Sequence, residues 1–134
     1  MSSHVIGENV ISTSSYTIRL EGIRFRARHG ASRAERDLLQ DFVVDMEVSL
    51  PTSLLPRSDN RARVFDYDQL ASLAVNEGTK ASYKLLETLA ERLIRRVLSD
   101  TPADLVKVSV KKFGPPTSVS VDAVAIELSG RRES

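Results

Sequence analysis

The sequence predicts an α+β fold in which a four-stranded antiparallel sheet carries two helices on one face. Three observations support this. Two segments near the start and two near the end alternate apolar with polar residues, the period of a half-buried strand. Between them, two segments repeat apolar residues every three or four positions, the period of a helix. The strands also expose one face, whereas strands of parallel α/β sheets are buried on both and read as continuous apolar runs.

The first strand begins at Tyr16, Ile18 and Leu20. Its phase slips at Glu21-Gly22, and Ile23, Phe25 and Ala27 continue on the other parity, as a bulge near Gly22 would produce. Residues 42–50 repeat the alternation, with Phe42, Val44, Met46, Val48 and Leu50 on one side. Pro51 and Pro56 end this strand, and the polar stretch to Arg63 reads as a loop. Asp66 is placed to cap a helix starting near Tyr67, with Leu70, Leu73 and Ala74 as its stripe and Gly78 as its stop. Ser82 is the expected cap of a second helix, along which Leu86, Leu89, Ala90, Leu93 and Val97 recur. Val106, Val108 and Val110 mark a third strand, and Gly114-Pro115-Pro116 breaks the chain after it. Val119 and Val121 are expected to open the fourth strand, which Val124, Ile126 and Leu128 continue.

The 134 residues suit one domain, expected over 16–129 between a flexible tail at 1–15 and a short tail at 130–134. At this size folding should bury roughly two-thirds of the unfolded surface, enough for a core without staples. The formal net charge of +1 gives no strong field to steer nucleic acid or an anionic membrane. No apolar run is long enough to cross a bilayer. The absence of cysteine removes disulfides and thiolate metal sites, and fits a reducing, cytoplasmic setting. Nucleotide P-loops, dinucleotide fingerprints, HExxH sites and GxSxG elbows are all missing, so neither cofactor nor metal is expected. Arg24, Arg26 and Arg28 share a strand face, but no aromatic stacking motif lies among them, so a solvated face or subunit contact is the simpler reading.

Of the two histidines, His4 falls in the tail, while His29 precedes Gly30 at a strand end, where the residues alone favour a structural role. Four positions gain interest as a set: Glu35 after that turn, Tyr67 at a helix start, Glu87 beside Leu86 in the second helix, and Lys112 at the close of the third strand. Each alone has a plain reading. Glu35 could be a loop charge, Tyr67 a core residue with a wet tip, Glu87 an exposed charge paired with Lys84, and Lys112 an edge gatekeeper.

The stretches LEGIRFRARHG (20–30), AERDLLQDFVVDMEV (34–48), VFDYDQL (64–70), LLETLAERL (85–93), VSVKKFGPP (108–116) and DAVAIEL (122–128) resemble the dihydroneopterin aldolase family, in its order and nearly its spacing. The resemblance implies the tunnelling fold, β-β-α-α-β-β. It also implies a homo-tetramer or homo-octamer closed into a multi-subunit barrel, with active sites between subunits. In that family Glu87 would anchor the pterin through a planar carboxylate fork, and Leu86 would offer backbone groups to the same ring. Lys112 would be the acid–base residue, Tyr67 of a neighbouring subunit would assist, and Glu35 would contact the substrate and hold Lys112. A lysine does this chemistry near neutral pH only when burial or a cation lowers its pKa, and a glutamate acts the other way, so Glu35 is assigned positioning. The implied reaction is retro-aldol cleavage of 7,8-dihydroneopterin, with the pterin C=N bond accepting the electrons and no metal or Schiff base required. Leu39, Phe65, Thr117-Ser118-Val119 and Val121 depart from the family's common residues. Two other readings remain: a dihydroneopterin (triphosphate) 2′-epimerase, which shares the four polar residues but often lacks the histidine at the turn, and a non-catalytic pterin-binding or assembly module.

Overall fold

The computed structural model describes residues 4–6 and 9–133, and side chains from residue 12 onward. Parts of the segment expected to be an N-terminal tail, and the side chain of His4, therefore lie outside the described residues. The described part of that segment holds a small antiparallel pair, β1 (His4–Ile6) with β2 (Asn9–Ile11).

The main sheet contains β3 (Thr17–Ala27), β4 (Gln40–Ser49), β5 (Leu105–Phe113) and β6 (Ala123–Arg131), in the order β3-β4-β5-β6 and antiparallel throughout. A four-residue helix, α1 (Arg33–Arg36), links β3 to β4. Two longer helices, α2 (Asp68–Thr79) and α3 (Leu86–Asp100), cross between β4 and β5. This is the predicted α+β arrangement. The register of β3 against β4 shifts between Leu20 and Ile23, and Gly22 takes φ 76°, a left-handed value that glycine adopts without strain. The expected bulge is there, and Asp45 Oδ1 accepts the Gly22 N–H at 2.7 Å.

The core lies between the sheet and the two long helices. Phe42, Val44, Met46 and Val48 of β4 and Val106, Val108 and Val110 of β5 meet Leu70, Leu73 and Ala74 of α2 and Leu89, Ala90, Leu93 and Val97 of α3. Each fully buried aliphatic side chain stabilises the fold by roughly 1.5–3 kcal/mol relative to exposure. The opposite face of the sheet is polar, with ion pairs Arg19–Glu47 at 2.9 Å and Lys107–Glu127 at 3.3 Å.

Four local expectations are corrected. Gly78 does not stop α2, which runs on to Thr79; it is glycine because a Cβ there would sit 2.4 Å from the Phe25 ring. Ser82 does not cap α3. Its hydroxyl donates to the Arg28 carbonyl, and Leu85 occupies the cap position with no side-chain bond. Val119 and Val121 lie in an exposed loop, and the last strand opens only at Ala123. Lys112 is not an edge residue, because β5 is an interior strand.

Candidate active site

Lys112 continues the stripe Val106, Val108, Val110 along β5 and points to the same buried face. Its side chain is only 4% exposed. A buried ammonium needs partners, and it has two: the Glu35 carboxylate and the His29 carbonyl, the latter at 3.0 Å.

Glu35 reaches Lys112 because of how α1 is built. Ser32 Oγ accepts the Glu35 N–H, and Glu35 Oε1 accepts the Ser32 N–H, both at 3.2 Å, forming a capping box. One carboxylate oxygen is thus spent on the cap while Oε2 faces the lysine. The hydrogen bond from Lys112 holds the Glu35 carboxyl below the usual glutamate range. Gln40 donates to the Glu35 carbonyl at 3.0 Å, tying α1 to β4. Gly30 makes room for this arrangement: a Cβ there would lie 2.5 Å from Glu35 Cβ and 2.8 Å from Oε2.

The opposite wall is the first turn of α3. Helix N-termini leave backbone N–H groups without intrahelical partners, and here that turn presents Leu86 and the exposed Glu87. Glu35, Lys112, Leu86 and Glu87 line one cavity of about 280 Å³, walled by Leu85, Pro115, Pro116, Val124 and Ile126. Lys84 also lines it, but forms no ion pair with Glu87 among the described residues. The cleft therefore sets the Glu87 carboxylate against a buried ammonium–carboxylate pair, between apolar walls. Such a site can grip the polar edge of a planar heterocycle and exchange protons with a group at its other end.

Tyr67 stands apart. It occupies the cap position of α2, is 62% exposed, and lines a separate cavity of about 580 Å³ beside Tyr16 and Ile18. Within one chain, four of the five expected site residues converge and Tyr67 does not.

The family model for dihydroneopterin aldolase (FolB) matches residues 18–129. The curated dihydroneopterin aldolase of Streptococcus pyogenes serotype M18 (strain MGAS8232) is 35% identical over 120 residues, spanning 86% of this chain and 98% of that protein. The chain belongs to the dihydroneopterin aldolase family. Solved structures agree on the fold. The Escherichia coli dihydroneopterin aldolase in complex with neopterin superposes with a TM-score of 0.77 at 20% identity, over 86% of this chain and 98% of that one. The Burkholderia thailendensis dihydroneopterin aldolase bound to guanine gives 0.74 at 22% identity, over 89% and 93%.

Sequence reasoning missed the supports of this site: Gly30 as the contact point for Glu35, Gln40 as a brace, and the apolar walls. Two signals were available. The Ser32-x-x-Glu35 spacing is a capping-box signature, and the Val-x-Val-x-Val-x-Lys alternation at 106–112 places Lys112 on the buried face.

Proposed function

We propose that the chain cleaves 7,8-dihydroneopterin by a retro-aldol reaction into 6-hydroxymethyl-7,8-dihydropterin and glycolaldehyde, a step of folate synthesis. The observation that carries this is the meeting of Glu35, Glu87 and Lys112 in one cleft of a chain from this family. Glu87 accepts two hydrogen bonds from the amino-pyrimidinone edge, each charge-assisted, and Leu86 backbone groups meet the same ring. Lys112 reacts as its neutral amine, taking the proton of the 2′-hydroxyl and so becoming the ammonium that Glu35 holds and that later protonates C1′. As the C1′–C2′ bond breaks, its electrons pass into the pterin C=N system, and glycolaldehyde leaves. Reprotonation of the resulting enamine at C1′ gives the product. Glu35 fixes the ammonium in place and contacts the side chain of the substrate.

The position of Tyr67 supports an active site shared between copies of the chain. The cleft lies against β6, through Val124 and Ile126, while the Tyr67 cavity lies against the start of β3, through Tyr16 and Ile18. These are the two outer strands of the sheet, each with one edge unpaired among the described residues. Joining β3 of one copy to β6 of the next removes both edges and brings Tyr67 to the neighbouring Lys112. A ring of four such chains, single or stacked as eight, is the proposed assembly. At about 280 Å³ the cleft is smaller than the ~300–1,000 Å³ common for ligand pockets, as half of a shared site would be. Among the described residues no helix is long and apolar enough to cross a membrane, and the proposed location is the cytoplasm, where pterin metabolism supplies the substrate.

Incubation with 7,8-dihydroneopterin followed by product identification tests the reading. Glycolaldehyde and 6-hydroxymethyl-7,8-dihydropterin are expected in equal amounts. Dihydromonapterin as sole product would assign the epimerase reaction instead, and binding without turnover would assign a pterin-binding module.

A further inference from the structure

His29 is fully enclosed, with Phe42 edge-on at 5.0 Å and Tyr83 stacked at 5.3 Å between ring centroids. Both ring nitrogens are committed. The Tyr83 backbone N–H donates to Nδ1 at 3.0 Å, so Nδ1 carries no proton. Nε2 then carries it and donates to the Gly78 carbonyl at 2.7 Å. Only this neutral tautomer satisfies both bonds.

The two bonds reach different elements. Gly78 belongs to the last turn of α2, and Tyr83 to the segment that launches α3, four residues before Glu87. The backbone around His29 adds two further ties. Its carbonyl accepts the Lys112 ammonium at 3.0 Å, and the Gly30 N–H donates to the Tyr83 carbonyl at 3.0 Å. Tyr83 is itself fixed by its phenol, which donates to the buried Glu77 carboxylate; the other Glu77 oxygen meets Lys80 at 3.2 Å and Arg96 at 3.3 Å. One imidazole therefore sits where the support of the ammonium joins the support of the carboxylate.

We propose that His29 is a positioning residue for the reaction: by tying the carbonyl that seats Lys112 to the segment that presents Glu87, it sets the spacing between the proton-transfer group and the ring anchor. The inference rests on the functional reading given above. The imidazole itself does not line the cleft, so it acts through Lys112 and Glu87. Displacing a catalytic group by about 1 Å can cost on the order of a hundredfold in rate, so a spacing device of this kind has a kinetic signature that a purely structural core histidine lacks.

The test compares the wild-type chain with His29→Ala, His29→Asn and Val97→Ala. Asparagine keeps an acceptor for the Tyr83 N–H and gives up the bond to Gly78. Val97 is a buried core residue ten positions along α3 from Glu87 and serves as a stability control. Turnover and KM for 7,8-dihydroneopterin are measured at a temperature where circular dichroism shows all four chains folded. The expected result is a kcat loss of at least about fivefold in His29→Ala, partial recovery in His29→Asn, and less than about twofold change in Val97→Ala. A smaller loss in His29→Ala, an equal loss in Val97→Ala, or no recovery in His29→Asn would overturn the proposal while wild-type activity left the functional reading standing. No turnover in the wild-type chain would overturn both.

Discussion

Replacing Glu35 by Gln isolates the ion pair beneath the cleft. The amide keeps an oxygen for the Ser32 N–H, so the α1 cap survives, but its NH₂ now confronts the Lys112 ammonium, donor against donor. The lysine side chain is 4% exposed and that of Glu35 16%, so water compensates little. Removing one partner of a fully buried pair costs about 3–5 kcal/mol. With the residual exposure of Glu35 and the His29 carbonyl still in place, a loss of about 2–3 kcal/mol is expected at pH 7. For a chain of this size that corresponds to roughly 8–12 °C in Tm. Urea unfolding at fixed protein concentration measures it, since assembly would otherwise shift the midpoint. The double variant Glu35→Gln/Lys112→Met should recover much of the loss, because an apolar replacement of a buried pair is often neutral. The pH dependence has a definite sign. The folded carboxyl titrates below the ordinary 4.5, so its contribution is present above that value and fades as pH falls through the folded pKa; the gap between wild type and Glu35→Gln should therefore close in acid. A cost under about 0.5 kcal/mol, typical of exposed pairs, or no recovery in the double variant, would refute the view of Lys112 as a buried, paired cation.

Three further expectations follow from the packing and the buried network. Gly30→Ala should destabilise by about 1–3 kcal/mol through overpacking against Glu35, and its turnover should fall further than its folded fraction, as kinetics beside circular dichroism would reveal. Burial and the bond to Glu77 raise the Tyr83 phenol to about 12, so one component of a spectrophotometric tyrosine titration should be delayed to that pH and vanish in Tyr83→Phe. That group's contribution to stability holds below the ordinary value of 10.0 and is lost as pH rises towards about 12, which alkaline urea titrations would detect.

The sequence showed elements with strong periodicity and concealed those set by tertiary contact. Alternation along Phe42–Leu50 and Val106–Val110, and the three–four spacing from Leu86 to Val97, map directly onto buried faces. Gly78 and Ser82 depart from local expectation, which gives glycine to helix ends and serine to helix starts. Here Phe25 requires the glycine, and the Arg28 carbonyl occupies the serine. Val119 and Val121 continued a β-like pattern, but strand pairing with β5 begins only opposite Phe113, at Ala123. In the site, Glu35, Tyr67, Glu87 and Lys112 stand out only as a set and take roles only through the family resemblance, while periodicity leaves the exposure of Glu87 open. The supports around His29 join residues about fifty positions apart, a separation at which no local pattern operates.

The central claim is a division of labour within the cleft, and paired measurements on Lys112→Ala and Glu87→Ala test it most directly, using single-turnover rates with 7,8-dihydroneopterin and equilibrium binding of neopterin. Lys112→Ala should lose about a hundredfold or more in rate, as an acid–base group does, with affinity held within a few-fold. Glu87→Ala, deprived of two charge-assisted bonds worth about 1.5–3 kcal/mol each, should weaken binding by at least about tenfold. Wild-type affinity in Glu87→Ala together with a wild-type rate in Lys112→Ala would contradict it.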